Sequence, residues 1–244
     1  MQGNILAVDL ASKKYKDIGF ALLPAGAVEV IFLKAEELGL SGKPYASDLA
    51  PALNQFCLDR DVKVLILDGP QGWKSPHTGI EHMRIGERVL NTPAKTGVIG
   101  HVKPGSALRY VAFSISLFHS LRVDFGWSLL TRNWHTAKRK RWLVEGFPTS
   151  AWKTLGLSSL PAKSRTKRKE LNQWADEFKI VSGLHVGSNL THDDLQAAVL
   201  LPAAIAIQSQ NVNGVVLSGM DPRYTWSGDV LEGWIANPYV NDAL

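Results

Sequence analysis

Val62-Lys63-Val64-Leu65-Ile66-Leu67-Asp68-Gly69-Pro70 is an aliphatic run closed by an acid and a Gly-Pro break. Only Lys63 interrupts its apolar character, so the segment has no solvated face. Such a run reads as a strand buried on both sides, as in parallel sheets covered by helices. Just upstream, Leu49, Leu53, Phe56 and Cys57 fall on one face of an amphipathic helix. Ser47 reads as its N-cap, with Pro51 placed in the first turn. A strand reached through a helical crossover lies parallel to the strand that precedes the helix. That earlier strand is residues 4–10. Between it and the helix, residues 18–23 and 28–33 read as two more strands. A polar turn at 13–16 and Pro24-Ala25-Gly26 join them, and links this short imply an antiparallel meander.

Beyond Pro70 the pattern changes. Residues 71–105 are rich in Gly, Pro, Thr and His around one charged helical piece at 81–90, and read as an insertion. Residues 106–121 read as a helix, 142–146 as a short strand and 166–178 as a charged amphipathic helix. A Leu- and Ala-rich helix follows at 191–208, which Pro202 should kink or divide. Residues 213–217 and 230–235 read as late strands. The expectation is one α/β domain over residues 1–244, with the insertion at 71–105 and a C-terminal extension at 210–244.

The chain has 244 residues, 45% of them hydrophobic, enough for a sizeable core. Cys57 is the single cysteine, which excludes an internal disulfide framework and a cysteine-based zinc site, and points to a reducing compartment. The first nine residues lack the basic flank and apolar run of a signal peptide. The longest apolar stretch, 195–207, is broken by Gln196 and Pro202 and falls short of the ~20 residues that span a bilayer. A cytoplasmic location with no membrane partner is expected. The formal charge is +5, and the basic residues cluster. Lys138, Arg139, Lys140 and Arg141 form one run; Lys163, Arg165, Lys167, Arg168 and Lys169 form another. Such clusters can neutralise a phosphate backbone, or can be a solvated face.

Acidic residues stand at the ends of elements. Asp9 closes the first strand, Asp68 the central strand and Glu145 the strand before Phe147-Pro148, while Asp193 and Asp194 open the Leu- and Ala-rich helix. Carboxylates at the ends of neighbouring strands can converge at one edge of a sheet, and a helix packed across it can add another. Mg²⁺ or Mn²⁺ takes such oxygen ligands, usually one or two carboxylates with water and substrate phosphate. Two metals roughly 4 Å apart can activate a water and stabilise a leaving oxygen. Each position also has a structural use: turn chemistry at Asp9 and Asp68, helix capping at Asp193 and Asp194.

In order and spacing these pieces resemble the predicted-nuclease family DUF429 of the ribonuclease H-like superfamily. The matching motifs are Ile5-Leu6-Ala7-Val8-Asp9 before a hairpin, and Val64-Leu65-Ile66-Leu67-Asp68-Gly69-Pro70. Arg84 with Glu87-Arg88-Val89-Leu90 comes next, then Val144-Glu145-Gly146-Phe147-Pro148 with Trp152, and finally His192-Asp193-Asp194-Leu195. They span about residues 5–205. The resemblance implies a mixed five-stranded sheet of order 3-2-1-4-5, flanked by helices, and metal-dependent nuclease chemistry. It implies catalytic roles for Asp9, Asp68, Glu145, Asp193 and Asp194. Asp9 and Asp68 would be metal ligands, joined by Asp194 or Asp193, with Glu145 beside them. Family members often carry a second Asp a turn beyond the helix acid, where this chain has Gln196.

Other residues invite readings. Arg84 and Arg88, four residues apart, could face one phosphate or pair with Glu81 and Glu87. Trp73, in a loop after the acidic central strand, is the tryptophan expected to touch substrate, whereas Trp142 reads as core. His192 beside Asp193 could orient a water or contact a phosphate, or sit at the surface near the helix start. The leading expectation is a divalent-metal-dependent nuclease acting on phosphodiester bonds in nucleic acid. The alternatives are a non-catalytic nucleic-acid-binding protein of the same fold, and a phosphotransferase of the actin and sugar-kinase type. The last needs two such domains and Gly-rich phosphate loops, and Asp68-Gly69-Pro70-Gln71-Gly72 occurs once.

Overall fold

The computed structural model describes residues 3–137 and 141–239. The central run is strand β4 (Val62–Asp68), and it pairs in parallel with β1 (Asn4–Asp9). Helix α1 (Ala46–Asp59) makes the crossover between them. β1 pairs antiparallel with β2 (Gly19–Leu23), and β2 with β3 (Ile31–Leu33), completing the meander. Helix α2 (Ile85–Leu90), a two-strand hairpin of β5 (Lys95–Thr96) and β6 (Val102–Lys103), and helix α3 (Leu108–Val123) follow. β7 (Ser128–Leu129) and β8 (Trp142–Gly146) come next, then α4 (Pro148–Thr154), α5 (Arg168–Ser182), α6 (His192–Ala198) and α7 (Leu201–Gln208). A long hairpin of β9 (Val215–Tyr224) and β10 (Val230–Pro238) ends the described chain.

The sheet has eight strands rather than five. Its path runs β3-β2-β1-β4-β8-β10-β9, with β7 pairing β8 alongside. The late strands do not form a separate extension. Ile235 and Ala236 of β10 pair in parallel with Glu145 and Gly146 of β8, and β9 closes the edge antiparallel to β10. Of the kink or division expected at Pro202, the structure shows division: the 191–208 stretch forms α6 and α7, with Pro202 in the first turn of α7, where its missing N–H costs nothing. At α1, Tyr45 rather than Ser47 precedes the first helical residue, so Pro51 falls inside the helix, at an exposed position.

Alternation along the strands sorts the core into two layers. Ile5, Ala7, Val64, Ile66 and Val144 pack with Leu195, Leu200 and Phe178 beneath the C-terminal helices. Leu6, Val8, Leu65, Leu67 and Leu143 pack with Leu49, Leu53, Leu117 and Phe118 of α1 and α3. Asp9 and Asp68 continue the parity of the first set, and Glu145 that of the second. Gly146 confirms the sorting: a Cβ there would lie 2.7 Å from Leu200, just before α7, leaving Glu145 on the opposite face.

The segment after Asp68 is tied down by buried carboxylates. Glu232 of β10 is 0% exposed, and its carboxylate accepts the backbone N–H groups of Ser75 and Ile85, each at 2.9 Å. Trp73 is 7% exposed, packs with Val102, Val111 and Ile115, and bridges to Leu231 through its backbone. It is core, which corrects its reading as a substrate contact: the loop carrying it folds back along β10 instead of opening to solvent. Among the described residues no helix is long and apolar enough to cross a membrane.

Candidate functional site

Asp9 and Asp68 stand directly opposite one another at the C-terminal ends of β1 and β4, in the same register as the Val8–Leu67 pair. Parallel neighbours with matched parity send both side chains to one face, so the two carboxyl groups meet. They share a hydrogen bond, and both groups titrate high. Burial, the negative charges of Asp68 and Asp193 and that hydrogen bond push Asp9 well above the usual carboxylate range, against the pull of Lys163. Burial likewise raises Asp68 to about 7; the hydrogen bonds from Asp9 and Tyr110 oppose the rise, and Glu145 adds to it. Two carboxylates this close cannot both ionise cheaply without a cation between them. The Tyr110 hydroxyl donates to the Asp68 carbonyl oxygen at 2.9 Å, fixing the strand end.

The helix that brings the third acid is placed by a glycine. Gly19 of β2 pairs with Asp9, and a Cβ at Gly19 would lie 2.1 Å from the Asp193 carbonyl oxygen. Only a bare backbone lets the N-terminus of α6 come this close to the strand. Asp193 and Asp194 then part ways. Asp194 is the capping-box acid, accepting the Thr191 backbone N–H at 2.9 Å while Thr191 accepts from the Asp194 N–H, and Lys34 lies 3.5 Å away. It is thus occupied in starting the helix, contrary to its reading as a metal ligand. Asp193 is the one whose charge reaches Asp9. Its carboxylate pairs with the Lys163 ammonium and contacts His192 at 3.4 Å, and Lys163 also holds Asp17 at 3.0 Å. Burial works against the charge of Asp193, but the hydrogen bonds and charges of His192 and Lys163 hold it below its ordinary value. His192 Nε2 meets the Pro161 carbonyl at 2.9 Å, so the imidazole is a local tie at the helix start. Gly19→Ala is therefore expected to cost about 1–3 kcal/mol of stability through overpacking and to weaken divalent-metal binding. Thermal melts with and without Mg²⁺ measure both, and a variant that melts like the parent would show that α6 can retreat freely.

Glu145 lies close enough to raise Asp68, but its carboxylate is engaged by other partners. On the face opposite the Asp9–Asp68 pair, it receives Arg84 through two bonds, 2.8 and 2.5 Å, and the backbone N–H and side-chain amide of Gln71 at 2.9 and 3.1 Å. Arg84 is 2% exposed and also donates to Glu87 at 3.0 Å; Glu87 in turn accepts from the backbone and hydroxyl of Thr96. Arg84 is saturated by carboxylates and is not a phosphate contact, whereas Arg88, one turn on, is exposed. The network locks the 71–96 segment onto β8. Gln71 and Tyr110 had no signal in the sequence that set them apart; each is found only by what it touches.

A cavity of about 250 Å³ lies beside Asp68, walled by Arg84, Glu87, Pro93, Tyr110, Glu145 and Phe147 among others. A second, of about 550 Å³, shares Pro93, Phe147 and Thr149 with it and extends to Lys153, Arg165 and His192. Arg165, Lys167 and Arg168 are exposed, Lys167 as the N-cap residue of α5. Arg141 is not free for phosphate: its guanidinium stacks on Trp127 at 4.7 Å and donates to the Phe125 carbonyl and to Asn54. Lys138, Arg139 and Lys140 lie outside the described residues.

The donor set suits a hard cation. Among the described residues no three His, Cys, Asp or Glu side chains converge as a ready metal cluster. Two in-register carboxyls, with water and substrate oxygens filling the shell, are nevertheless the usual protein share of an Mg²⁺ site. No protein-family model matches the chain, and no curated protein matches it in sequence. Among solved structures it is similar to that of Thermus thermophilus RuvC, with a TM-score of 0.39 and 9% identity, covering 84% of this chain and 96% of that one. A likeness this distant assigns neither fold family nor activity, and the resemblance to DUF429 rests on the quoted motifs alone.

Proposed function

We propose that this protein is a divalent-metal-dependent nuclease with a ribonuclease H-like core, hydrolysing phosphodiester bonds in nucleic acid. The observation that carries the reading is the Asp9–Asp68 pair: two carboxyls in register on adjacent parallel strands, both driven to hold a proton they would give up to a cation. In this reading Asp9 and Asp68 hold Mg²⁺ or Mn²⁺. Asp193, rather than Asp194, is the third acid, and Lys163 balances its charge until substrate arrives. When bound, the cation would supply Lewis-acid polarisation of the phosphodiester and charge to stabilise the leaving oxygen. Glu145 is a positioning residue: held by Arg84 and Gln71, it keeps a negative charge behind Asp68 and fixes the segment that walls the site.

The test is cleavage of single-stranded, duplex and hybrid substrates with Mg²⁺, Mn²⁺ or EDTA. Cutting that needs the metal and disappears in Asp68→Asn is expected. Lys163 on Asp193 favours a second reading, a nucleic-acid binder that does not cut, because an ammonium stands on the acid that would complete the site. Salt-dependent binding with no cleavage under any metal would establish that reading and overturn the first.

A further inference from the structure

The cavity beside Asp68 is walled by Asp68 and Glu145 and reaches beyond the Asp9–Asp68 pair to Pro93, Phe147 and Ile235. Its 250 Å³ or so is enclosed by Phe147, Tyr110, Pro93 and Ile235, with threonine hydroxyls at Thr92, Thr96 and Thr149. It is smaller than the roughly 300–1,000 Å³ of ordinary ligand sites, and the turn at residues 92–96 walls one side. A duplex cannot enter; a flat, amphipathic group of nucleobase size can. The two cavities adjoin, sharing Pro93, Phe147 and Thr149 in their linings just past the C-terminal end of β8, and the larger one reaches His192 of α6.

Charge divides along this path. The small cavity is lined by Asp68, Glu87 and Glu145 against the single cation Arg84, which two of those acids already engage. It offers a phosphate no free side-chain cation. Among the described residues, the lining of the large cavity contains Lys153 and Arg165, both exposed, and no acidic residue. It attracts phosphate. An uncharged base at one end and a phosphate at the other is the polarity of a nucleotide within a strand.

We propose that the two adjoining cavities bind an unpaired nucleotide strand, with one base entering beside Asp68 against Phe147 and the adjoining backbone running to Lys153 and Arg165. The inference rests on the nucleic-acid reading above and adds the substrate class: unpaired rather than duplex. Enzymes that take a base into a pocket require single-stranded substrate or must extrude the base at the expense of its pairing and stacking, and aromatic stacking is tolerant of sequence.

Fluorescence anisotropy tests this without reading cleavage. The probes are a short labelled DNA strand, the same sequence as RNA, and the blunt DNA duplex, in Ca²⁺, with an unlabelled mononucleotide as competitor. One or both single strands should bind on the order of 10-fold or more tighter than the duplex, since unpairing falls on the duplex alone. Phe147→Ala should weaken single-strand binding about 5- to 150-fold and leave duplex binding unchanged. Lys153→Gln with Arg165→Gln changes only exposed residues, so the fold is safe. It should lower the slope of log K against log salt by about 1.4, two phosphates' worth for a single strand. Equal binding of duplex and single strands, an unchanged salt slope in the double variant, or displacement by the mononucleotide at strand-like concentrations would each overturn the proposal. A wild-type protein that selects single strands through Phe147 but cuts nothing keeps this inference and loses the nuclease. One that cuts while binding duplex equally does the reverse.

Discussion

Asp9→Asn is expected to abolish metal-dependent cleavage while the protein melts at the same temperature or higher in metal-free buffer. Asn keeps the shape of Asp and loses the charge that holds a hard cation. The loss of activity should exceed the 10- to 100-fold typical of changes one shell away from a metal. Stability moves the other way because burial, with the neighbouring acids Asp68 and Asp193 adding to it, penalises the charged form of Asp9. Both carboxyls bind protons more tightly folded than unfolded, Asp68 at about 7 against an ordinary 3.8. Between about pH 4 and about pH 7 the folded state therefore holds more protons than the unfolded one, and stability falls as pH rises through that window. In EDTA the parent should show this fall, Mg²⁺ should reverse it near neutral pH, and Asp9→Asn should flatten it. Melts across pH beside cleavage assays check all three. A variant that melts lower yet still cuts would make Asp9 a structural turn residue and remove the centre of the reading.

Arg84→Met should be the most destabilising single change in the molecule outside the hydrophobic core. It strips the partner from two buried carboxylates, Glu87 and Glu145. Breaking a buried pair on one side costs about 3–5 kcal/mol because the remaining charge is uncompensated. For a domain of this size that is a fall of about 6–20 °C in Tm. Neutralising the acids as well, with Glu87→Gln and Glu145→Gln, should recover most of the loss, since the cost lies in the stranded charge. Urea melts of the single and triple variants decide it. A loss under about 1 kcal/mol in the single variant would mean that Gln71 alone satisfies Glu145.

What was legible in the sequence follows from how local each signal is. The Asp9–Asp68 pairing was readable because an aliphatic run fixes burial and parity, and an acid at its end inherits both. The choice between Asp193 and Asp194 was also written locally: Thr191-His192-Asp193-Asp194 is the Thr-x-x-Asp form of a capping box, which assigns Asp194 to the cap and turns Asp193 elsewhere. The Arg84–Glu87 pair was among the readings offered, but the burial of Arg84 was not legible, because its other partner Glu145 lies 61 residues away. An arginine in a Gly- and Pro-rich stretch looks like surface until a carboxylate from another element covers it. Trp73 was misread for the same reason, its burial coming from α3 and β10 rather than from its neighbours. The sheet was undercounted because β7 is two residues long and β10 is recruited through only two residues of β8. The strand at 230–235 was itself readable; its place beside β8 was not.

Glu232 gives the protein freedom in a place that looks constrained. One carboxylate grips the chain at Ser75 and again at Ile85, so the nine residues between are a closed handle. Its middle, from Pro76 to Glu81, is largely exposed. Lengthening a loop whose ends are already pinned costs only closure entropy, about 0.6 kcal/mol for each doubling. The handle can thus change length and composition between lineages, or accept an affinity tag or fluorophore, without passing strain to Asp68. Evolution and the engineer are offered the same insertion point, mechanically insulated from the sheet by one carboxylate of β10.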